Sequence, residues 1–126
     1  MKSIHDLVVA AKSGIHEIGV NEAESAIREA DVLVDVREAD EFASGHIPGA
    51  IHMSRGTIEF KLSANPALSA RDTTIVLYCK SSGRAALAAN SLREMGYFSV
   101  ISIAGGIDAW VAAGKPILKP ETPTFE

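Results

Sequence analysis

The stretch "TTIVLYCKSSGRAA", residues 73–86, joins the strongest strand pattern in the chain to the start of a helix. Residues 73–79 are rich in β-branched and apolar side chains, which favour a buried strand. An alanine- and leucine-rich segment then runs from Ser82 to Met95 and meets Gly96, which is typical of a helix with a glycine at its C-terminal end. The stretch therefore predicts a strand, a tight turn and a helix in direct succession.

The same alternation continues on both sides of this unit. Helical spacing of apolar residues and β-branched runs predict the helices 3–13, 21–30 and 107–113 and the strands 16–19, 32–36 and 98–103. Ser3 with Asp6, and Asn21 with Glu24, have the spacing of capping pairs at the start of a helix. Strands that alternate with helices at these lengths predict an α/β domain, with a parallel sheet covered by helices on both faces.

Length and composition indicate one domain that packs a single core. The chain has 126 residues, of which 47% are hydrophobic. Its net charge of −4 argues against nucleic acid as the main partner. Its longest apolar runs, residues 7–11 and 85–89, are shorter than a membrane span or the core of a signal peptide requires, so we expect no membrane partner. The single cysteine cannot form an internal disulfide, which favours a cytoplasmic location.

We expect three segments along the chain. They are an N-terminal helical extension over residues 1–14, the domain itself over residues 15–115, and a proline-rich C-terminal tail over residues 116–126. The helix of the extension has an apolar face that either packs on the domain or builds a homodimer. The tail carries Pro116, Pro120 and Pro123, so we expect it to leave the domain as an extended or disordered end.

Several features favour a reactive thiolate at Cys79. The residue ends a predicted buried strand, and the carboxyl ends of parallel strands are where ligands bind. A helix follows at once, so the backbone amides of residues 80–84 can point at an anion. Lys80 and Arg84 add positive charge, and Gly83 allows the backbone to curl into a cradle. These features favour a nucleophile over the simpler interpretation of a small buried hydrophobic residue.

The absence of a second cysteine narrows the chemistry further. A dithiol oxidoreductase, or a sensor that closes an internal disulfide, needs a resolving cysteine in the same chain. Cys79 has no such partner in the sequence. Any group that Cys79 acquires must therefore pass to another molecule.

Three motifs of the chain occur together. They are "DVREADEFASGHIPGAIHM" at residues 35–53, "YCKSSGRA" at residues 78–85 and "IAGGIDAW" at residues 103–110. Together they resemble the rhodanese family of sulfurtransferases: the first is similar to the upstream signature of that family, the second to its active-site loop and the third to the signature near the end of the domain. The motifs follow in the expected order, and the resemblance covers about residues 16–114.

The resemblance implies a single rhodanese-like domain with a central five-stranded parallel sheet, flanked by helices on both faces and preceded by an extra N-terminal helix. It implies that Cys79 takes a sulfane sulfur from a small sulfur-containing anion such as thiosulfate and holds it as a persulfide. The acceptor is cyanide in an assay or a thiol in the cell. The same resemblance implies no metal and no organic cofactor, and it implies a substrate-binding loop made of Lys80, Ser81, Ser82, Gly83 and Arg84.

The flanking motifs are expected to support the loop. Asp35 and Arg37 either reach the loop or pair with each other, and we favour the pair. Gly105 and Gly106 are expected to let a strand-to-helix turn pass close to other backbone. His46 precedes "IPGA" and is expected to fix a turn. The remaining histidines, His5, His16 and His52, have no ligand spacing, so we expect no metal site.

Other functions remain open for the same loop. A phosphatase of this fold carries its arginine six positions after the cysteine, whereas Arg84 lies five positions after Cys79, which counts against a phosphatase. A non-catalytic interaction module would not need the cysteine and both cations. A persulfide carrier would use the same chemistry and differ only in its acceptor.

Overall fold

A computed structural model describes residues 1–120, in which six helices alternate with a five-stranded sheet. The helices are α1 (Ile4–Lys12), α2 (Val20–Glu29), α3 (Ala39–Ala43), α4 (Ile58–Ala64), α5 (Gly83–Glu94) and α6 (Gly106–Ala112). The strands are β1 (His16–Ile18), β2 (Val32–Asp35), β3 (Ile51–His52), β4 (Ile75–Tyr78) and β5 (Val100–Ile103).

The sheet has the strand order β1-β5-β4-β2-β3, and every neighbouring pair is parallel. The predicted class, an α/β domain with a five-stranded parallel sheet, is confirmed. Strand β4 is central, and each of its residues is buried because helices cover both faces. The loop that begins after Cys79 therefore starts from a buried strand end.

A separate core lies on each face of the sheet. On one face, α4 and α5 pack on alternate residues of β2 and β4, and α1 packs on α5. On the other face, α2 and α6 pack on the remaining residues of the same strands, including Tyr78. Because side chains alternate along a strand, Leu77 and Cys79 belong to the first core, while Val76 and Tyr78 belong to the second.

The observed boundaries of the helices and strands show which local sequence signals were sufficient to predict them. Ser3 accepts a hydrogen bond from the Asp6 amide and the Asp6 side chain returns one, so the predicted capping pair of α1 is confirmed. The predicted cap at Asn21 is wrong: Gly19, directly after β1, is the N-cap residue in an extended conformation, and α2 begins at Val20. Strand β3 and helix α4 had no counterpart in the predicted elements, since the strand is 2 residues long and the helix 7.

The start of the C-terminal tail is bound to the domain, contrary to the expectation that it leaves. Leu118 and His46 form an antiparallel bridge with N–O distances of 2.7 and 2.9 Å. The indole N–H of Trp110 donates to the carbonyl of Pro116 at 2.6 Å. Prolines prevented a helix here, but an extended segment still satisfies its backbone groups against a neighbouring loop. The end of the predicted tail, residues 121–126, lies outside the described residues.

No helix within residues 1–120 is long and apolar enough to cross a membrane.

Candidate active site

Cys79 lies where β4 gives way to α5, with three residues between the cysteine and the start of the helix. Its exposed fraction is 1%, so the side chain sits at the floor of the loop. The backbone N–H of Ala85, in the first turn of α5, donates a hydrogen bond to Sγ with an N–S distance of 3.4 Å. The helix thus directs at least one amide at the sulfur.

The backbone of the loop is held from behind by the start of α6. The amide of Ile107 donates to the carbonyl of Cys79 at 2.9 Å, and the amide of Asp108 donates to the carbonyl of Lys80 at 3.1 Å. Gly106 has φ +54°, and a Cβ at this position would lie 2.3 to 2.8 Å from three loop carbonyl oxygens. Only glycine permits this approach, which ties the loop carbonyls to α6.

The amides of the loop remain available because its carbonyls are turned toward α6. Within residues 1–120, the backbone N–H groups of residues 80–84 donate to no acceptor of the protein. Unpaired amides at the start of a helix bind anions, and a loop that presents several of them forms a cradle. The geometry therefore provides an anion-binding cradle beside the only thiol of the chain.

Gly105 has a different position from Gly106. It is the N-cap residue of α6, has φ +79°, and a Cβ on it would lie 2.6 Å from the Cβ of Ala109. This glycine lets β5 turn sharply into α6, and it acts on the loop only by placing Gly106.

Both loop cations are paired with carboxylates. Arg84 donates two hydrogen bonds to Glu41 on α3, at 2.6 and 3.0 Å. Lys80 donates to Asp108 at 2.9 Å, and both side chains of this second pair are more than half exposed. The sequence predicted positive charge for an anionic substrate, and in the structure each cation also has a carboxylate partner.

The Glu41–Arg84 pair is stable over the whole physiological pH range. Hydrogen bonds from Arg84 lower the pKa of Glu41 from 4.5 to about 2, although partial burial acts in the opposite direction. The same hydrogen bonds raise the pKa of Arg84. Both groups are therefore charged whenever the protein is near neutral pH.

The two serines of the loop have different surroundings. Ser81 is exposed. Ser82 occupies the N-cap position of α5, yet its side chain forms no capping hydrogen bond. Its Oγ instead accepts a hydrogen bond from Nζ of Lys12, on α1, at 2.8 Å.

Asp35 and Arg37 form a buried pair next to the loop. Nη2 of Arg37 donates to Oδ2 of Asp35 at 2.8 Å and to the carbonyl of Gly45 at 2.6 Å. The turn after β2 is joined to the end of β4, because the amide of Val36 donates to the carbonyl of Tyr78 at 3.0 Å. Among the described residues, neither side chain of the pair forms a hydrogen bond with the loop. The pair can support the loop only through the strand ends.

His46 and His52 both hold backbone next to α3. The ring of His46 stacks on Phe42 with centroids 3.9 Å apart, and its Nδ1 lies 3.2 Å from the Phe42 carbonyl. Nε2 of His52 lies 2.7 Å from the carbonyl of Arg37. Among the described residues, neither histidine forms a hydrogen bond with Cys79.

Sequence reasoning missed three residues whose side chains form hydrogen bonds with the loop: Lys12, Glu41 and Asp108. Asp108 could have been predicted, because it lies two residues after the "GG" of the third motif and therefore in the first turn of the helix that follows. Glu41 lies in the acidic helix of the first motif, but several acidic residues there were equally eligible. No signal in the sequence connects Lys12 with a loop 70 residues away.

The model of the rhodanese-like domain family matches residues 19–113 of the chain. A sulfurtransferase from Allochromatium vinosum is 38% identical over 90 residues, which cover 71% of this chain and 80% of the relative. An uncharacterized protein from Synechocystis is 38% identical over 92 residues, which are 73% of this chain and 49% of that protein. The chain thus spans about half the length of this second relative.

Solved structures share the architecture. A protein of unknown function from Rhodopseudomonas palustris, described as a possible tyrosine phosphatase, has a TM-score of 0.82 and 32% identity over 94% of this chain and 96% of that chain. The homodimeric polysulfide-sulfur transferase from Wolinella succinogenes has a TM-score of 0.75 and 33% identity over 90% of this chain and 85% of that chain.

Proposed function

The chain belongs to the rhodanese-like domain family of sulfurtransferases, and on that premise we propose that it transfers a sulfane sulfur through a persulfide on Cys79. The donor is a small sulfur-containing anion such as thiosulfate. The acceptor is a nucleophile, which is cyanide in an assay and a thiol in the cell. Cys79 is the catalytic residue, and residues 80–84 bind the anionic groups of the substrate.

The observation that supports this proposal is the position of the cysteine at the floor of an amide cradle. The Sγ atom accepts a hydrogen bond from Ala85, and the neighbouring loop amides have no acceptor within residues 1–120. Amides in such an arrangement stabilise negative charge on sulfur, both in a thiolate and in the persulfide formed from it. A thiol that served only to fill the core would not need these unpaired donors.

Sulfur transfer begins with attack by the thiolate. Sγ of Cys79 forms a bond with the outer sulfur of thiosulfate, while the bond between the two sulfur atoms of thiosulfate breaks. Sulfite leaves with the electron pair of that bond, and the protein retains the anionic persulfide. No external oxidant or reductant is required.

An acceptor then removes the bound sulfur from Cys79. A nucleophile, such as the carbon of cyanide, forms a bond with the terminal sulfur of the persulfide. The sulfur–sulfur bond breaks, and its electron pair returns to Sγ as the thiolate while thiocyanate leaves. The absence of a second cysteine in the sequence fits this cycle, because the persulfide then meets no resolving thiol of its own chain.

Arg84 has a geometry suited to an exchange of anions. Its guanidinium is bidentate to Glu41 in the structure, and the pair is about one-third exposed. A bidentate guanidinium binds the oxygens of thiosulfate as well as those of a carboxylate. We propose that the donor competes with Glu41 for Arg84, while water solvates the released carboxylate.

The test is the intact mass of the protein. Treatment with thiosulfate should raise the mass by one sulfur atom, and subsequent cyanide should remove it with stoichiometric release of thiocyanate. Cys79→Ser keeps the size of the side chain and removes the nucleophile, so this variant should neither gain sulfur nor form thiocyanate above background. If wild-type protein keeps its unmodified mass with thiosulfate and with polysulfide, the enzyme proposal fails and a non-catalytic interaction module replaces it.

A phosphatase is the second candidate, because the Rhodopseudomonas relative is described as a possible tyrosine phosphatase. The short loop argues against a phosphatase, because α5 starts at Gly83 and the amide of Ala85 already contacts Sγ of Cys79. This leaves a small ring that suits a sulfur atom better than a phosphoryl group. Phosphate release from an aryl phosphate that disappears in Cys79→Ser would overturn this interpretation.

A further inference from the structure

Helix α1 contacts the active-site loop although it lies outside the part of the chain that matches the family model. That match covers residues 19–113, whereas α1 spans Ile4–Lys12. α1 packs along α5, and Cγ2 of Val8 would lie 3.5 Å from a Cβ built on Gly83. One turn later, Nζ of Lys12 donates a hydrogen bond to Oγ of Ser82 at 2.8 Å.

Lys12 also faces a carboxylate of the sheet. Its Nζ lies 3.5 Å from Oε2 of Glu17 on β1, and this oxygen is buried without a hydrogen-bond partner in residues 1–120. The side chain of Lys12 is 35% exposed and that of Glu17 is 26% exposed. The ammonium group is thus held between Glu17 on β1 and Ser82 in the loop.

Among the described residues, the hydroxyl of Ser82 is hydrogen-bonded to Lys12 and does not cap α5. A serine at the N-cap position normally accepts a hydrogen bond from the amide two or three residues into the helix. In α5 these amides belong to Arg84 and Ala85, and Ser82 caps neither of them. The amide of Ala85 donates to Sγ of Cys79 instead. A free Ser82 hydroxyl would therefore compete with the reactive sulfur for the same donor.

We propose that Lys12 is a positioning residue for sulfur transfer. By holding the hydroxyl of Ser82, it leaves the amides at the start of α5 to the sulfur of Cys79 and to the anionic donor. The inference rests on the proposed persulfide chemistry, and it adds α1 to the residues that shape the cradle. Lys12 acts through Ser82 and does not itself touch the reacting atoms.

The decisive experiment measures the single-turnover rate of persulfide loading by saturating thiosulfate in a set of variants. Lys12→Met removes the donor and keeps the aliphatic stem, and it should slow loading about tenfold, the effect expected when one amide is lost to a capping hydroxyl. Lys12→Arg keeps a donor and should restore most of the rate. Lys2→Met makes the same change of charge at an exposed position before α1 and should load at the wild-type rate.

The second step of the experiment repeats Lys12→Met in a Ser82→Ala background. Without a hydroxyl there is nothing to divert the amides, so the additional substitution should leave the loading rate of Ser82→Ala unchanged. An equal slowing in both backgrounds would show that Lys12 acts through charge or folding alone and would overturn the proposal, as would normal loading by Lys12→Met. Thermal unfolding of each variant shows whether a slow rate reflects a lost fold.

The two proposals fail in different ways. If wild-type protein does not load sulfur, the proposed function fails. If wild-type protein loads normally and the double variant shows additive effects, only the role of Lys12 fails.

Discussion

The Asp35–Arg37 pair and the Glu41–Arg84 pair both join an arginine to a carboxylate at the carboxyl edge of the sheet, but their surroundings differ. The side chains of the first pair are 0% and 7% exposed, and those of the second are 28% and 34% exposed. The first pair is local, since its partners are 2 positions apart in the sequence, whereas the second connects positions 43 residues apart.

This difference in exposure suits the two pairs to different roles: the buried pair supports the strand ends, and the exposed pair is the one proposed to exchange its carboxylate for a donor anion. Asp35 also acts on Tyr78: burial, and after it the nearby carboxylate of Asp35, raise the pKa of Tyr78 far above its usual range. In such an enclosed network, a released charge would have no water to solvate it, so the pair cannot open without unfolding the strand ends. Glu41 and Arg84 reach solvent, which fits the proposal that an incoming anion replaces the carboxylate.

The largest effect is expected when the buried pair is broken. Asp35→Asn leaves the guanidinium of Arg37 buried without its counter-charge, and the free energy of unfolding should fall by about 3 to 5 kcal/mol. Urea denaturation followed by circular dichroism measures this change. Asp72→Asn is the matched control, since Asp72 is exposed, and it should alter stability by less than about 0.5 kcal/mol. Similar losses in the two variants would contradict the comparison.

Substitution of the arginine in the exchangeable pair should mainly affect catalysis. Arg84→Ala should reduce kcat/KM for thiosulfate by about 1 to 3 kcal/mol of transition-state stabilisation, through lost charge-assisted hydrogen bonds to the donor. Steady-state formation of thiocyanate measures the change. The same variant should still fold, because its partner Glu41 becomes solvated. Wild-type kinetics in Arg84→Ala would remove the arginine from the proposed mechanism.

The carboxylate of the exchangeable pair should contribute a small, pH-dependent stability. Folding lowers the pKa of Glu41 from 4.5 to about 2. The contribution of Glu41 to the free energy of unfolding is therefore present above pH 4.5 and is lost as the pH falls toward 2. Glu41→Gln should be less stable than wild type at neutral pH by about 1 kcal/mol, a value reduced for solvent exposure. Denaturation curves at several pH values should show this difference shrink below pH 4.5. A difference that is constant across that range would contradict the assignment.

The smallest effect is expected at the exposed Lys80–Asp108 pair. Lys80→Ala should change stability by less than about 0.5 kcal/mol, because both side chains are well solvated. Its effect on thiosulfate turnover should be smaller than that of Arg84→Ala and should diminish as salt screens the charge. Thiosulfate turnover of both variants, measured at increasing salt concentration, tests this expectation. If the loss of turnover in Lys80→Ala is undiminished at high salt, Lys80 contacts the donor directly.

The sequence alone was sufficient to predict features that depend on residues close together in the chain. The strand–loop–helix unit around Cys79 and the capping pair at Ser3 depend on neighbouring residues, and both are present in the structure. The pairing of Arg84 with Glu41 could not be predicted, because it depends on how α3 and α5 meet across the edge of the sheet. The contact between Lys12 and Ser82 is of the same kind.

The course of the tail shows a second limit. Prolines near the end of the chain indicated the absence of a helix, and no helix is formed by residues 115–120. Composition does not reveal whether an extended segment finds backbone partners. Here His46 and Trp110 provide them. His46 lies far from the tail in the sequence, and Trp110 lies on the other side of the turn after α6.

The close approach of Gly106 to the loop has a consequence for how this protein can change during evolution. The contacts that shape the loop end on the carbonyls of Cys79 and Lys80, and every amino acid carries such a carbonyl. Side chains at positions 80 and 81 can therefore be exchanged while the ring of amides keeps its shape. Donor preference becomes adaptable in small mutational steps, whereas the position behind the loop tolerates almost none.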